Sequence, residues 1–183
     1  MKNKKFRITA YCLAFLLAAL ICANILVIFV SEIPRQQIIS NILLSVTSLF
    51  AIFYILVGCT KERGAKYYHL FMISYAVTML VLIFINRARA PFSIFFNLII
   101  YGCLCVLATA KDLGRKKSVI LASAVLVFGV VTLFFGFGNA TMTLFANLCR
   151  CLKLMLSATT LFMVMAKYSD KDARKKGGTN QKS

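Results

Sequence analysis

The chain has 183 residues, of which 61% are hydrophobic and 15% are charged, and 22 basic against five acidic residues give a net charge of +17. A water-soluble domain is usually about 45–50% apolar and roughly a quarter charged, so this composition excludes an ordinary soluble fold. The basic residues lie in short segments between long apolar runs, which excludes a separate basic domain for binding nucleic acid.

Six apolar runs follow one another along the chain. Spanning the hydrocarbon core of a bilayer takes about 20 mostly apolar residues, and lipid offers the backbone no hydrogen bonds, so the runs are predicted to be helices. They cover residues 8–30, 38–58, 68–86, 91–110, 118–137 and 140–166. The pattern predicts an all-α, polytopic membrane domain of six transmembrane helices over residues 1–168. Its helices would form either a simple up-and-down bundle or three helical hairpins in series.

The two ends of the chain lead to separate predictions. The first apolar run follows a basic segment, but it is longer than the roughly 7–15 apolar residues of a cleavable signal sequence. We therefore expect it to remain in the protein as a membrane anchor. Residues 169–183 are polar and basic and show no apolar periodicity, so they are predicted to form a disordered cytoplasmic tail.

Basic residues are distributed unequally over the two ends of the predicted bundle. The helix order places seventeen of the 22 at one end, in segments 1–7, 61–66, 111–117 and 167–183. The other end has three, Arg35, Arg87 and Arg89. Because cytoplasmic loops carry the excess of Lys and Arg, we expect an integral cell-membrane protein with both termini in the cytoplasm.

Acidic residues are scarce, and none lies inside an apolar run. The five are Glu32, Glu62, Asp112, Asp170 and Asp172. Proton-coupled transport usually uses a carboxylate within the membrane, and carboxylate-based hydrolysis or phosphoryl transfer needs several acids at one site. The sequence therefore argues against an enzyme, and we expect no catalytic residues, no metal site and no cofactor.

Histidine and cysteine give no stronger indication of chemistry. The single histidine, His69, lies beside two tyrosines, as residues of the membrane interface do. The alternative, a nucleophile pair of Cys59 and His69, lacks a third group to orient the imidazole. The two Cys-x-Cys pairs would point about 200° apart on a helix, so neither can close on one metal ion.

Small residues recur at every fourth position of the first run, at Ala10, Ala14 and Ala18. This spacing lets two helices approach closely, either within the bundle or at a docking surface for a partner membrane subunit. In size, helix count and alanine spacing, the chain resembles the substrate-binding subunits of energy-coupling-factor vitamin transporters. The resemblance implies a substrate-binding membrane subunit that works with a partner.

Polar residues share one side of the sixth run. At 100° per residue they occupy an arc of about 140°, opposite a side rich in leucine and methionine. Arg150 lies about 15 Å along the helix from residue 140, near the middle of a core about 30 Å thick. A cation at that depth costs about 2.5–3.5 kcal/mol. The predicted ligand-binding residues are Thr143, Asn147, Arg150, Lys153 and Ser157, with Arg87 and Arg89 of an outer loop to attract an anion.

Three explanations of the two cations stay open from the sequence. The stripe binds an anionic small molecule or a lipid headgroup, or it pairs with an acid of another membrane subunit, or polar neighbours within the chain satisfy both charges. The neighbours available are Asn24, Ser45, Thr47, Ser48 and Asn97. The leading hypothesis is a multi-pass protein of the lipid bilayer that binds or transports an anion. The alternative is a non-transporting accessory or regulatory subunit that docks on an acidic helix.

Overall fold

The computed structural model describes residues 4–30, 35–60, 64–86, 91–110, 113–134 and 144–179, and these residues form an all-α fold. The helices are α1 (Lys4–Val30), α2 (Arg35–Thr60), α3 (Gly64–Asn86), α4 (Pro91–Thr109), α5 (Arg115–Phe134) and α6 (Leu144–Thr179). Each predicted apolar run corresponds to one helix. Pro91 begins α4, where its missing N–H would have had no partner within the helix.

Five of the helices are long and apolar enough to cross a membrane. Their apolar stretches are Phe6–Phe29, Ile38–Val57, Tyr67–Ile85, Arg115–Phe134 and Ala146–Tyr168. The fourth helix contributes a shorter apolar stretch, Ile94–Thr109, among the residues described. The stretch in α6 has a mean hydropathy of 1.5, against 2.1 to 2.8 in the other four, because it includes Arg150 and Lys153.

Each helix packs against the next one along the chain, and α6 completes the bundle by packing on α1 as well as on α5. Short connections between consecutive helices produce antiparallel neighbours, so the chain runs up and down through the bundle. The last helix also contacts α2 and α3, so it packs on four other helices. Among the described side chains, Met165 is the one exposed large apolar residue of α6, whereas α1 and α2 have seven each.

The buried side of α1 is formed by residues spaced three or four apart, as one face of a helix requires. These residues are Ala10, Ala14, Leu17, Ile21 and Asn24. Ala18 is exposed, so the structure separates it from the other two alanines of the predicted docking motif. Ala10 and Ala14 belong to the interior of the bundle, which supports the alternative of packing within the chain for these two residues.

The structure differs from the sequence prediction at the C-terminal end. The prediction places a disordered tail from residue 169, but α6 continues as a helix to Thr179. Extending an existing helix adds one hydrogen bond per residue without a new nucleation step. Segment 169–176 contains Lys, Asp, Ala and Arg and no proline, so it has no residue that would stop the extension. Residues 180–183 of the predicted tail lie outside the described part of the chain.

Candidate functional site

Lys153 lies half-buried on α6 and is held by a side chain of α4. Its Nζ donates a hydrogen bond to Oδ1 of Asn97, and Asn97 itself is 6% exposed. An amide oxygen gives the ammonium a partial negative charge but no counter-ion. Asn97 is one of the polar neighbours that the sequence analysis named, so this part of the intramolecular explanation is confirmed for Lys153.

Ser157 lies one turn further along α6 and is completely buried. Its Oγ is 3.0 Å from the hydroxyl oxygen of Tyr75 on α3, and it donates to the backbone oxygen of Lys153 at 3.1 Å. The Tyr75 hydroxyl is also 3.3 Å from that same carbonyl oxygen. Tyr75 therefore fixes the turn of α6 that carries Lys153, and Ser157 is a positioning residue rather than a free ligand group.

A glycine of α5 makes room for this turn. A Cβ atom on Gly129 would lie 2.8 Å from Oγ and 3.2 Å from Cβ of Ser157, closer than ordinary van der Waals contact. The glycine therefore allows α5 and α6 to approach closely beside the site. When the surroundings of two helices are as apolar as the surface between them, the helices usually pack closely at small residues.

Asn147 and Arg150 lie one turn apart near the start of α6, and both are half-buried. One polar atom of each, Oδ1 of Asn147 and Nη1 of Arg150, is buried without a hydrogen-bond partner in the structure. A buried polar atom without a partner costs about 1–3 kcal/mol, and more when the group is charged. None of the side chains that the structure describes is a carboxylate, so no ion pair within this part of the chain compensates Arg150.

The residues of the predicted polar stripe differ in their partners. Lys153 and Ser157 bond to side chains of α4 and α3, while Asn147 and Arg150 are half-buried and each has one polar atom without a partner. The opposite, apolar side is buried as well, with Leu152, Leu156 and Met163 fully enclosed. Amphipathic periodicity shows that one side of a helix is polar and the other is apolar. It does not show whether the apolar side faces the bundle core or lipid, because leucine is equally stable in both.

Three predicted ligand-binding residues lie outside the described part of the chain: Thr143, Arg87 and Arg89. Thr143 immediately precedes α6, and the two arginines follow α3. Four residues of the prediction remain, and the structure joins two of them, Lys153 and Ser157, by a direct hydrogen bond.

Two polar contacts between helices are absent from the sequence prediction. Nδ2 of Asn41 on α2 donates to Oδ1 of Asn24 on α1 at 2.9 Å, and both residues are completely buried. The hydroxyl oxygens of Thr47 on α2 and Thr78 on α3 are 2.6 Å apart. Asparagine within an apolar run was the available signal, but the sequence does not specify which helix supplies its partner.

The opposite, basic end of the bundle is closed by aromatic and backbone contacts. The Tyr168 hydroxyl donates to the backbone oxygen of Leu113, and its oxygen is 2.9 Å from Oγ of Ser118. Nζ of Lys167 lies 4.1 Å from the centre of the Tyr68 ring. A groove of about 620 Å³ at this end is lined by Ala110 and by residues 113–117, and the polar stripe of α6 does not contribute to it.

His69 has a structural partner at this same end. Its Nδ1 is 2.9 Å from the backbone oxygen of Ala108, one of the last carbonyl groups of α4. Such carbonyls have no partner within their own helix, so the imidazole N–H satisfies one of them. The side chain of Cys59, the other member of the alternative nucleophile pair, lies outside the described part of the chain.

Comparison with known proteins adds no relative to this description. No protein-family model, no curated protein and no solved structure matches the chain. The resemblance to the energy-coupling-factor subunits thus rests on size, helix count and the alanine spacing of α1. The chemistry of the site has to be inferred from the residues of the chain itself.

Proposed function

We propose that the chain is a multi-pass membrane protein whose site on α6 binds an anion. The outer surface of the bundle supports the first part, because large apolar side chains are exposed on all six helices. Phe15 on α1 is 74% exposed, Phe29 is 83% exposed and Phe134 on α5 is 68% exposed. Exposure of so many large apolar side chains is typical of a surface that contacts lipid.

The charge distribution supports an orientation for this bundle. Seventeen basic residues lie in the segments at the end where α1 begins and the apolar part of α6 finishes. Positive residues are retained on the cytoplasmic side, so both ends of the chain are assigned to the cytoplasm. The start of α6, with Asn147 and Arg150, then lies in the outer half of the membrane.

The anion site is supported mainly by the partnerless buried Nη1 atom of Arg150, close to a second cation. Lys153 is three residues further along α6 and is paired with a neutral amide. Two positive charges on a helix that packs on four others repel each other and attract an anion, and charge-assisted hydrogen bonds to guanidinium are among the strongest. A bound anion would satisfy Arg150 and neutralise the pair.

The test is native mass spectrometry of the purified protein, which shows molecules that remain bound to it. We expect the wild type to retain an anionic molecule, and the Arg150→Leu/Lys153→Leu variant to lose it by about 10-fold or more. The loss follows from removing at least one charge-assisted hydrogen bond, worth about 1.5–3 kcal/mol.

A matched control is the Lys116→Leu/Lys117→Leu variant, which removes the same two charges from exposed positions at the basic end. This control should retain the anion as the wild type does. Retention that survives in the Arg150→Leu/Lys153→Leu variant would contradict the anion site. A second protein that copurifies with the wild type, and is lost from that variant, would support an acidic partner subunit instead.

A further inference from the structure

The last helix is recessed between two neighbours that do not meet. Within the described ranges α6 packs on both α1 and α5, but α1 and α5 make no contact with each other. Among the described side chains, α6 has one exposed large apolar residue, Met165, whereas α1 has seven and α5 has three, so α6 is set back between these two helices. The outer surface therefore has a lengthwise groove with α6 as its floor, which we call the α6 groove.

Two contacts identify which side of α6 forms this floor. The ring centres of Phe6 on α1 and Phe162 on α6 are 5.9 Å apart, and Gly129 of α5 lies against Ser157. At 100° per residue, Phe162 and Ser157 are about 140° apart around α6. The arc between them holds the described residues of the floor, which are Asn147, Arg150, Cys151, Leu154, Ala158, Leu161, Met165 and Tyr168.

The floor of the α6 groove changes character along its length. Its outer end has Asn147 and Arg150, with their two partnerless buried polar atoms, and the rest up to Met165 is apolar. All are half-buried except Cys151, which is exposed, and Met165, which is 47% exposed. From Arg150 to Met165 the helix rises about 22 Å at 1.5 Å per residue, comparable with half the thickness of a bilayer including its headgroups.

We propose that the anion bound at Arg150 is the headgroup of an anionic membrane lipid, whose acyl chain lies along the α6 groove. This inference rests on the proposed function and names its ligand class. A phosphate group accepts hydrogen bonds from Arg150, and the chain packs on Leu154, Ala158 and Leu161. The positive charge of Arg150 at one end of the α6 groove matches the anionic headgroup, and the apolar floor along the rest of the groove matches the acyl chain.

The interior of the bundle favours entry from the side. Between the site and the basic end, the described core is filled by apolar side chains that are fully buried, among them Phe71, Met72 and Met163. A water-soluble anion would need a polar path through this layer to reach the cytoplasm. A lipid reaches Arg150 by diffusing laterally in the membrane and needs no such path.

The experiment compares phosphatidylglycerol with glycerol 3-phosphate, which carries a phosphate headgroup without acyl chains. Both are offered to the whole protein in nanodiscs of phosphatidylcholine, and bound molecules are counted by native mass spectrometry. We expect phosphatidylglycerol to be retained and a 100-fold excess of glycerol 3-phosphate not to displace it. Arg150→Leu should reduce retention of phosphatidylglycerol by about 10-fold or more.

A second pair of variants tests the groove without changing any charge. Ala158→Phe fills the floor and should lower phosphatidylglycerol retention, whereas Leu49→Phe on exposed α2 should leave it unchanged. If glycerol 3-phosphate binds and displaces the lipid, the lipid assignment is wrong and anion binding stands. If Ala158→Phe retains the lipid fully in a folded protein, the acyl chain does not lie along the α6 groove and that part of the proposal is wrong. If neither molecule binds to the wild type, both proposals fail.

Discussion

Hydroxyl groups in the bundle interior find acceptors within their own helices. Thr47, Ser48, Ser157, Thr159 and Thr160 each donate to the backbone oxygen four residues earlier, at 2.7 to 3.1 Å. This arrangement satisfies the hydroxyl without a partner from another helix or from water. Most of the polarity of α6 therefore needs no ligand, and the residues that remain are the two near the start of the helix, Asn147 and Arg150.

Replacing Gly129 by alanine should destabilise the bundle. The added Cβ would lie 2.8 Å from Oγ of Ser157, whose position is fixed by Tyr75, so α5 and α6 would have to move apart. Overpacking of this kind costs about 1–3 kcal/mol. The measurement is the thermal unfolding midpoint of purified Gly129→Ala, which should fall by several degrees.

Gly102 provides the control, because a Cβ atom there would meet nothing within 4 Å. It lies within α4, where alanine is favoured over glycine by up to about 1 kcal/mol, so Gly102→Ala should raise the midpoint or leave it unchanged. Equal effects of the two substitutions would mean that α5 and α6 are not in close contact at Gly129.

At the scale of single elements, Tyr168 ties the end of the apolar stretch of α6 to the connection between α4 and α5. Tyr168→Phe removes its hydroxyl contacts with Leu113 and Ser118, each worth about 0.5–1.5 kcal/mol. Hydrogen exchange of the backbone amides in residues 113–118 should become several-fold faster, with exchange near Asn97 unchanged.

Tyr67→Phe is a matched control for this substitution. It removes one phenolic hydroxyl at the same end and keeps the ring contact with Phe53, at 5.4 Å between centres. Exchange in residues 113–118 should then remain as in the wild type. If Tyr168→Phe behaves in the same way as the control, Tyr168 does not hold the connection in place.

The helices themselves could be predicted from the sequence, and their pairing could not. The apolar runs predict the position of each helix, because few other structures suit a run of that length and composition. The predicted start of α4 and the predicted ends of α1 and α3 agree with the structure to the residue. Hydropathy does not reveal which side of an apolar helix is enclosed. For this reason Ala18 is grouped with Ala10 and Ala14 in the sequence, although only those two are buried.

The candidate site was predictable in composition but not in geometry. Arg150 and Lys153 stand out in the sequence because a charged residue is unusual within an apolar run. Asn97 could be named as a possible partner because it is also a polar residue within such a run. The direction of each side chain depends on where five other helices lie around α6. That information comes from packing, which separates Arg150 at the α6 groove from Lys153 in the interior.

At the scale of the whole molecule, the charge asymmetry predicts the orientation in the membrane. Alkaline phosphatase, which is active only outside the cytoplasm, should be active when fused after residue 33, 88 or 138. It should be inactive when fused after residue 62, 112 or 179, because those sites lie within the basic segments.

A fluorescent protein that matures only in the cytoplasm should give the complementary pattern at the same six positions. Agreement between the two reporters would exclude an effect of poor expression. Phosphatase activity after residue 62 or 112 would reverse the assigned orientation and would place Arg150 in the inner half of the membrane.

The enclosed position of α6 has a consequence for how the protein is made. Ribosomes deliver the helices in chain order, so the element that contacts α1, α2, α3 and α5 is the last of the six to leave the tunnel. Until α6 has emerged, no helix connects α1 to α5. A nascent chain stopped before residue 144 would lack the helix that connects α1 to α5, so the sides of α1, α2, α3 and α5 that pack on α6 would stay uncovered.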